Sequence, residues 1–387
     1  MKAALLVEPG RLEYRDIETP MPGAGEVLVR VLAALTCGTD IKTFRRGHPM
    51  IPLPAVLGHE YSGVVEAVGP GVRGFEPGQA VMGVHSGPCG ECFFCRRNQP
   101  QLCETIMDSK ALGSFAEFML LPEVVVKNNM FPKPDSVSFE HAALLEPLAC
   151  AVHGVRSAMN GVGANSAVHG VRSAMNGVGA NSAVHGVRSA MNGVGANSAV
   201  HGVKSAGSAL ENVLVIGAGP IGLLHLVLLK RMGVCVIVSG RGKTRLDTAL
   251  DCGADFVIDA ANSDVRREVL TLTGGRGADA VIECTGRPEV WEESIWLARR
   301  GGTVLLFGGC PPGTRAGFDA GRIHYDEITL KGVFHFSPDD VREARDIIID
   351  GSIPFGAFIS GEYPLAELHV ALERLLRGDG VKFCVRP

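Results

Sequence analysis

No stretch of this chain approaches the 18 consecutive apolar residues that a membrane-crossing helix needs, and no block of basic residues interrupts it. Its formal net charge is −4 and its charged residues make up 20%, so it lacks the basic footprint of a nucleic-acid or anionic-membrane partner. The opening run Met1-Lys2-Ala3-Ala4-Leu5-Leu6-Val7 is too short for a secretory signal and reads as a first strand. These absences set the expectation of a soluble, cytoplasmic, globular protein. At 46% hydrophobic the chain is not disordered, and 387 residues suffice for two domains with sizeable cores.

Cysteine, by contrast, is plentiful. There are 11, an odd count. Cys89, Cys92, Cys95 and Cys103 form C-x2-C-x2-C-x7-C among glycines and a proline that permit tight turns. With no secretory signal, this spacing favours metal binding over disulfides. Four thiolates in one loop suit a closed, tetrahedral structural zinc. A redox pair, buried free thiols or an iron–sulfur cluster are the alternatives.

The chain is organised around Val213-Leu214-Val215-Ile216-Gly217-Ala218-Gly219-Pro220-Ile221-Gly222. A β-branched run feeds a Gly-x-Gly-x-x-Gly turn, and an apolar helix follows. Gly217 permits the turn, Gly219 lets a pyrophosphate approach the backbone, and Gly222 lets the helix pack on the strand. The helix N-terminus offers free N–H groups to phosphates. Beyond it, strands are expected at 234–238, 256–258, 280–283, 303–307 and 328–334. Helices are expected at 244–252, 264–272 and 289–299. This is a doubly wound parallel sheet. Cys284-Thr285 and Phe307-Gly308 end strands, where cofactor-facing loops belong.

The second strand of such a sheet bears on cofactor choice. NAD enzymes place an acidic residue near its end to hold the ribose hydroxyls. Here Ser239-Gly240-Arg241 stands there, with Arg245 following. A small residue, a hydroxyl and a planar guanidinium suit a 2′-phosphate, so NADP(H) is expected over NAD(H). The alternative is that Arg241 stacks on adenine.

Upstream, Thr36-Cys37-Gly38-Thr39-Asp40, Gly58-His59-Glu60 and Leu145-Glu146-Pro147-Leu148 are bland one at a time. Together they supply a thiolate, an imidazole and carboxylates, the donor types of a catalytic zinc with one open position. With the glycine fingerprint and the cysteine loop, these motifs resemble the zinc-containing medium-chain dehydrogenases, the alcohol, polyol and threonine dehydrogenase group. The resemblance covers nearly the whole chain. Glu-Pro-Leu at 146–148 is similar to the sorbitol and threonine dehydrogenase branch.

The resemblance implies an α/β architecture: a mostly-β GroES-like catalytic domain over residues 1–150 and a Rossmann dinucleotide-binding domain over 199–334. Residues 335–387 would return to the catalytic domain. It implies two zinc ions per chain. Cys37 and His59, with Glu60 or Glu146, would surround the catalytic one, and the four-cysteine lobe would hold the other. Thr39 would relay a proton from the substrate alcohol. A homodimer or homotetramer is implied, with the last Rossmann strand pairing across the dimer. Relatives carry a histidine where this chain has Lys42; a solvated lysine is expected there, and the threonine dehydrogenase reading loses weight.

Residues 151–166 recur without change at 167–182 and 183–198, and a fourth copy begins at Ala199 and diverges at Lys204. Removing three 16-residue units from the 71 residues between Glu146 and Gly217 leaves 23, about the spacing of the family. Residues 151–198 therefore read as a tandem insertion. Each unit could form a helix of about nine residues, marginal without packing. The main expectation is an oxidoreductase moving a hydride between NADP(H) and a small secondary alcohol or ketone: a polyol, sugar alcohol or cyclitol. The alternatives are an NAD-dependent threonine-type enzyme, and a nucleotide-binding zinc protein impaired by the insertion.

Overall fold

The computed structural model describes residues 1–159 and 210–387. The alternating pattern of the first 35 residues forms β1 (Lys2–Glu8), β2 (Arg11–Asp16) and β3 (Val27–Leu35). β1 pairs antiparallel with β2 and with β4 (Ala55–Val56). β3 is the spine of a larger sheet. It pairs antiparallel with β5 (Glu60–Val68), which continues through β6 (Ala80–Gly83) to β8 (Met130–Pro132). β7 (Phe118–Leu121) pairs with the start of β3. Tyr61, Phe115, Met82 and Met119 are fully buried between these layers.

The second half builds β9 (Asn212–Ile216), β10 (Cys235–Gly240), β11 (Phe256–Asp259), β12 (Ala278–Glu283), β13 (Ala298–Leu306) and β14 (Thr329–Gly332). They form one parallel sheet in the order β11-β10-β9-β12-β13-β14. Order reverses between β9 and β12, which opens a crevice beyond the carboxyl ends of those strands. The glycine fingerprint shapes it. Gly217 has φ +108, a value few side chains tolerate. A Cβ on Gly222 would stand 1.9 Å from the Gly217 carbonyl oxygen, whereas Gly219 faces open space. The helix Pro220–Arg231 starts with proline in its first turn and is buried from Gly222 through Leu229. That all-round burial follows from its place between the sheet and the helix Leu145–Met159.

The expected helix over 289–299 is shorter: it spans Pro288–Ser294, and Ala298 and Arg299 belong to β13. Ala298 pairs with Ala278, and Arg299 donates to the Asp279 carboxylate, so sheet pairing overrides local helical pattern. Beyond β14 the helix Pro338–Asp350 begins in a Ser337/Asp340 capping box and packs against Leu145–Met159. β15 (Ile359–Pro364) and β16 (Lys382–Arg386) then join the first sheet, β16 pairing with Ala34 and Leu35 at the end of β3.

Leu145–Met159 is one continuous helix through residues 150 and 151, where a domain boundary was expected. It touches β5 and β6 on one side and Pro220–Arg231, β12 and β13 on the other. Gly154 makes that approach close: a Cβ there would lie 2.3 Å from His225 Nε2. Residues 151–159 belong to the first repeat copy, so this copy completes the helix. His153 Nδ1 lies 2.9 Å from an Asp340 carboxylate oxygen, and Arg156 donates to Asp340 and Glu343. The copies at 167–182 and 183–198, with His169 and His185, and the fourth copy's His201 lie outside the described residues.

Gly222→Ala should force the fingerprint turn off its strand and cost about 1–3 kcal/mol. A lower thermal unfolding midpoint is the expected readout. Gly356→Ala, with nothing within 4 Å of the new methyl, serves as the silent control.

Candidate active site and metal centres

Two segments meet at the end of β3. Cys37 caps the N-terminus of the helix Gly38–Arg46, and His59 and Glu60 enter β5. Pairing of Leu35 with Glu60 brings the two segments together. The ligand atoms of Cys37, His59 and Glu60 all lie within 4.8 Å of one another, and His59 and Glu60 are buried. One soft sulfur, one imidazole and one carboxylate within that radius fit a zinc-like cation. Asp40 supports both other donors. Its Oδ2 accepts from the Cys37 backbone N–H at 2.9 Å, and its Oδ1 lies 3.6 Å from His59 Nδ1. Such an outer partner orients an imidazole ligand and raises its basicity.

Glu146 is not part of that tight triad. It is buried in the first turn of Leu145–Met159, with Oε1 3.5 Å from His85 Nδ1 and 3.6 Å from the Cys150 thiol. Glu60 is therefore the carboxylate grouped with Cys37 and His59, and Glu146 stands behind.

Several residues at this centre carried no signal in the sequence. Lys382, 1% exposed, donates to both Glu60 carboxylate oxygens at 2.6 and 2.5 Å and to the Thr36 carbonyl at 2.9 Å. Burial opposes its charge, but Glu60 and the Cys37 sulfur overcome this and hold its pKa above the ordinary lysine value. His85 is buried, and its Nδ1 has no hydrogen-bond partner among the described residues. The His85 ring lies 5.2 Å from that of His59 and 5.3 Å from that of His335. Burial pushes its pKa well down, helped by His59 and His335. His335 reaches over from beyond β14 to within 2.6 Å of Ser86 Oγ, in a left-handed backbone conformation with φ +62. Burial carries its pKa down to about 3. A non-glycine residue held there marks a local backbone constraint. Only the strained turn and the domain crossing reveal these residues, and neither is legible in a linear motif.

Thr39 and Lys42 are exposed on the helix Gly38–Arg46. Nearby in sequence, His48 Nδ1 accepts from the Met50 backbone N–H.

At the crevice, the loops after β9 and β12 touch: a Cβ on Gly217 would stand 3.1 Å from Thr285 Cγ2. Glu283 holds the second loop by accepting from the Thr285 backbone N–H at 2.6 Å and from Gly286. Gly308 crosses Gly286 so closely that a Cβ would meet its nitrogen at 2.2 Å. Phe307 packs edge-on against His225, at 4.7 Å, and Cys284 Sγ lies 3.9 Å from the same ring. Pro220 and Ile221 are half-buried at the helix start. At the end of β10, Arg241 is exposed, while Arg245 donates to the Gly380 carbonyl at 3.3 Å. The Ser239 hydroxyl is buried without a hydrogen-bond partner among the described residues, in the sheet rather than at the rim. Gly240 has no room for a side chain: a Cβ would sit 2.7 Å from that of Ala218.

The second donor set is compact. Ligand sulfurs of Cys89, Cys92, Cys95 and Cys103 lie within 4.8 Å of one another, and all four are free thiols. Backbone N–H groups turn toward them: Cys89 donates to Cys103 Sγ at 3.3 Å, and N–H groups of Cys95 and Glu104 pull the Cys92 thiol down to about 6. A soft tetrahedral donor set with amides aimed at it fits zinc.

The fold and these two donor sets define a zinc-type oxidoreductase built from a β-rich catalytic part and a dinucleotide-binding sheet. Residues 23–135 match the alcohol dehydrogenase GroES-like domain, and 220–350 match the zinc-binding dehydrogenase domain. The chain is 31% identical over 340 residues to an L-threonine 3-dehydrogenase of Pyrococcus horikoshii, covering 86% of this chain and 82% of that one. It is 27% identical to a sorbitol dehydrogenase of Halalkalibacterium halodurans, over 98% of this chain and 96% of the relative. Among solved structures, a Sinorhizobium meliloti protein described as a zinc-binding dehydrogenase and bound to NADP superposes with a TM-score of 0.79 at 29% identity. That match spans 100% of this chain and 99% of the other. The chain belongs to the zinc-type medium-chain alcohol and polyol dehydrogenase family, and it is an enzyme of that oxidoreductase class. Among the described residues no helix is long and apolar enough to cross a membrane.

Asp40→Asn should remove the anionic support of His59 and Cys37 and weaken metal binding about 10–100-fold. Chelator competition on the purified protein measures it, with the lobe metal as internal reference.

Proposed function

We propose that this enzyme moves a hydride between NADP(H) and a small secondary alcohol or its ketone, with polyols, sugar alcohols or cyclitols as the substrate class. The observation that carries the reading is the convergence of Cys37, His59 and Glu60 in a sheet that the helix Leu145–Met159 joins to the dinucleotide-binding sheet. A zinc ion held there would polarise the alcohol or carbonyl oxygen, while the nicotinamide takes or returns the hydride. Asp40 orients His59. The exposed Thr39 hydroxyl takes the alcohol proton toward solvent. Glu146 and His85 line the far side. On this reading residues 1–150 and 335–387 form the catalytic part around the cofactor part at 199–334, with 151–198 inserted. The four-cysteine lobe holds the second zinc.

Charge supports a neutral substrate. The buried charges around the triad are the carboxylates of Asp40, Glu60 and Glu146, and Lys382 is already engaged by Glu60. A neutral polyol needs no counter-charge beside them, whereas a free carboxylate would depend on the metal to offset their repulsion. The likeness to threonine 3-dehydrogenases supports a second reading, an NAD-dependent amino-alcohol dehydrogenase. Cofactor preference for NADP(H) rests on Arg241, exposed at the end of β10, and on the absence of an acidic side chain at Gly240. Ser239 is too deeply buried to share in it. β14 ends the parallel sheet, and its outer edge suits pairing with a second copy in a homodimer or homotetramer.

Fluorescence titration with NADPH and NADH, on protein whose zinc content is measured, tests the cofactor reading. Tighter NADPH binding is expected. Arg241→Ala should weaken NADPH at least tenfold, the loss of one or two charged hydrogen bonds, and leave NADH unchanged. Tighter NADH binding by the wild type would reinstate the threonine-type reading. In a turnover panel, sorbitol-like polyols and cyclitols should exceed L-threonine; threonine as the preferred substrate would overturn the polyol assignment.

A further inference from the structure

The catalytic part and the dinucleotide sheet are tied together past the carboxyl ends of the parallel strands. Past β10, Arg245 donates to the Gly380 carbonyl at 3.3 Å. Past β14, His335 Nε2 and Ser86 Oγ share a hydrogen bond at 2.6 Å. In the order β11-β10-β9-β12-β13-β14, the crevice between β9 and β12 opens on the same rim, with one tie on either side of it. A dinucleotide lying in that crevice is therefore flanked by both.

The ties differ in kind. Arg245 reaches Gly380 with a long, flexible side chain. The Ser86–His335 bond is short, and each partner is fixed from its own side. Ser86 is fully buried, and its carbonyl accepts from Asn129 Nδ2 at 2.7 Å. The Asn129 carbonyl in turn accepts from the Val84 N–H at 3.2 Å, so the whole turn after β6 is pinned. Among the described residues the Ser86 hydroxyl has no partner besides His335. Across the cleft, the His335 ring stacks at 3.9 Å on Phe336, which is itself 1% exposed in the core. One residue further, Ser337 opens the capping box with Asp340, and Asp340 holds His153 of the joining helix. His335 is also held at φ +62, which leaves its backbone little freedom. The bond lies at the metal end of the cleft, since His335 meets His85 edge-on and His85 meets His59.

We propose that Ser86 and His335 are a positioning pair that clasps the β14 end of the dinucleotide rim to the catalytic sheet, and that opening of this clasp sets the rate at which the nicotinamide cofactor leaves. The inference rests on dinucleotide binding in the crevice. A ligand enclosed between two parts leaves only as they separate, and such opening often limits turnover. Burial carries the pKa of His335 down to about 3, so the clasp is one hydrogen bond between neutral groups. Its loss should change the opening rate by about 2–10-fold. A bond that merely satisfies two buried polar groups would change stability and leave release alone.

Stopped-flow displacement of bound NADPH, or of NADH if that binds more tightly, reads the clasp through nucleotide fluorescence on the full-length, zinc-loaded protein. Ser86→Ala, which removes the hydroxyl, should speed release about 2–10-fold. His335→Asn removes the Nε2 contact with a residue that suits a left-handed backbone, and should speed release by a similar factor. The double variant should release no faster than the faster single variant, because both changes break the same bond. If His335→Asn does not fold, Ser86→Ala alone decides. Wild-type release rates in the folded variants with only a lowered melting temperature, or single-variant factors that multiply in the double variant, would overturn the proposal. A wild-type chain that binds neither nucleotide would overturn the dinucleotide reading, and this inference with it. Nucleotide binding together with unaltered release from the variants would overturn this inference alone.

Discussion

A buried ammonium near the C-terminus ties the two ends of the catalytic part together. Lys382 reaches Glu60 and Thr36 through the pairing of β16 with the end of β3, and the cysteine of the triad follows Thr36 directly. Removing one partner of such a pair strands the other in a medium that cannot solvate it, at about 3–5 kcal/mol. The arrangement of Cys37, His59 and Glu60 therefore depends on a strand laid down more than 300 residues later. Asp40 completes the support from inside the first segment, since its carboxylate serves both the Cys37 amide and His59.

A second constraint is the helix Leu145–Met159. It carries Glu146 toward the triad at one end and lays Gly154 against His225 and Phe307 of the dinucleotide sheet at the other. Both halves of the reaction are registered through one rigid element, so a shift along its axis would move metal shell and cofactor loops together. The first repeat copy supplies its last two turns, and Asp340 anchors them through His153 and Arg156. Of the repeated sequence, residues 151–159 of the first copy are the docked part among the described residues.

Much of this was legible beforehand where chemistry is local. The Gly-x-Gly-x-x-Gly turn is readable because each glycine answers a steric demand within a few residues: φ +108 at Gly217, contact with the Gly217 carbonyl at Gly222, open space at Gly219. The four cysteines are readable because one short loop carries all four donors. The helix over 289–299 was not, because Ala298 and Arg299 take their state from Ala278 and Asp279 across the sheet. Nor was the burial of Ser239, whose hydroxyl points into a sheet that its own neighbours do not specify.

By itself the sequence determined the family, the two-part α/β architecture and the donor types of both candidate metal sites, since these depend on residue identity and short spacing. Only the tertiary structure decided which carboxylate joins Cys37 and His59, that Lys382 neutralises it, and that His85 and His335 stand beside it. Those outcomes depend on strand register and on burial, which strips water from charges and makes their pairing specific. Neither quantity is carried by any one stretch of the chain.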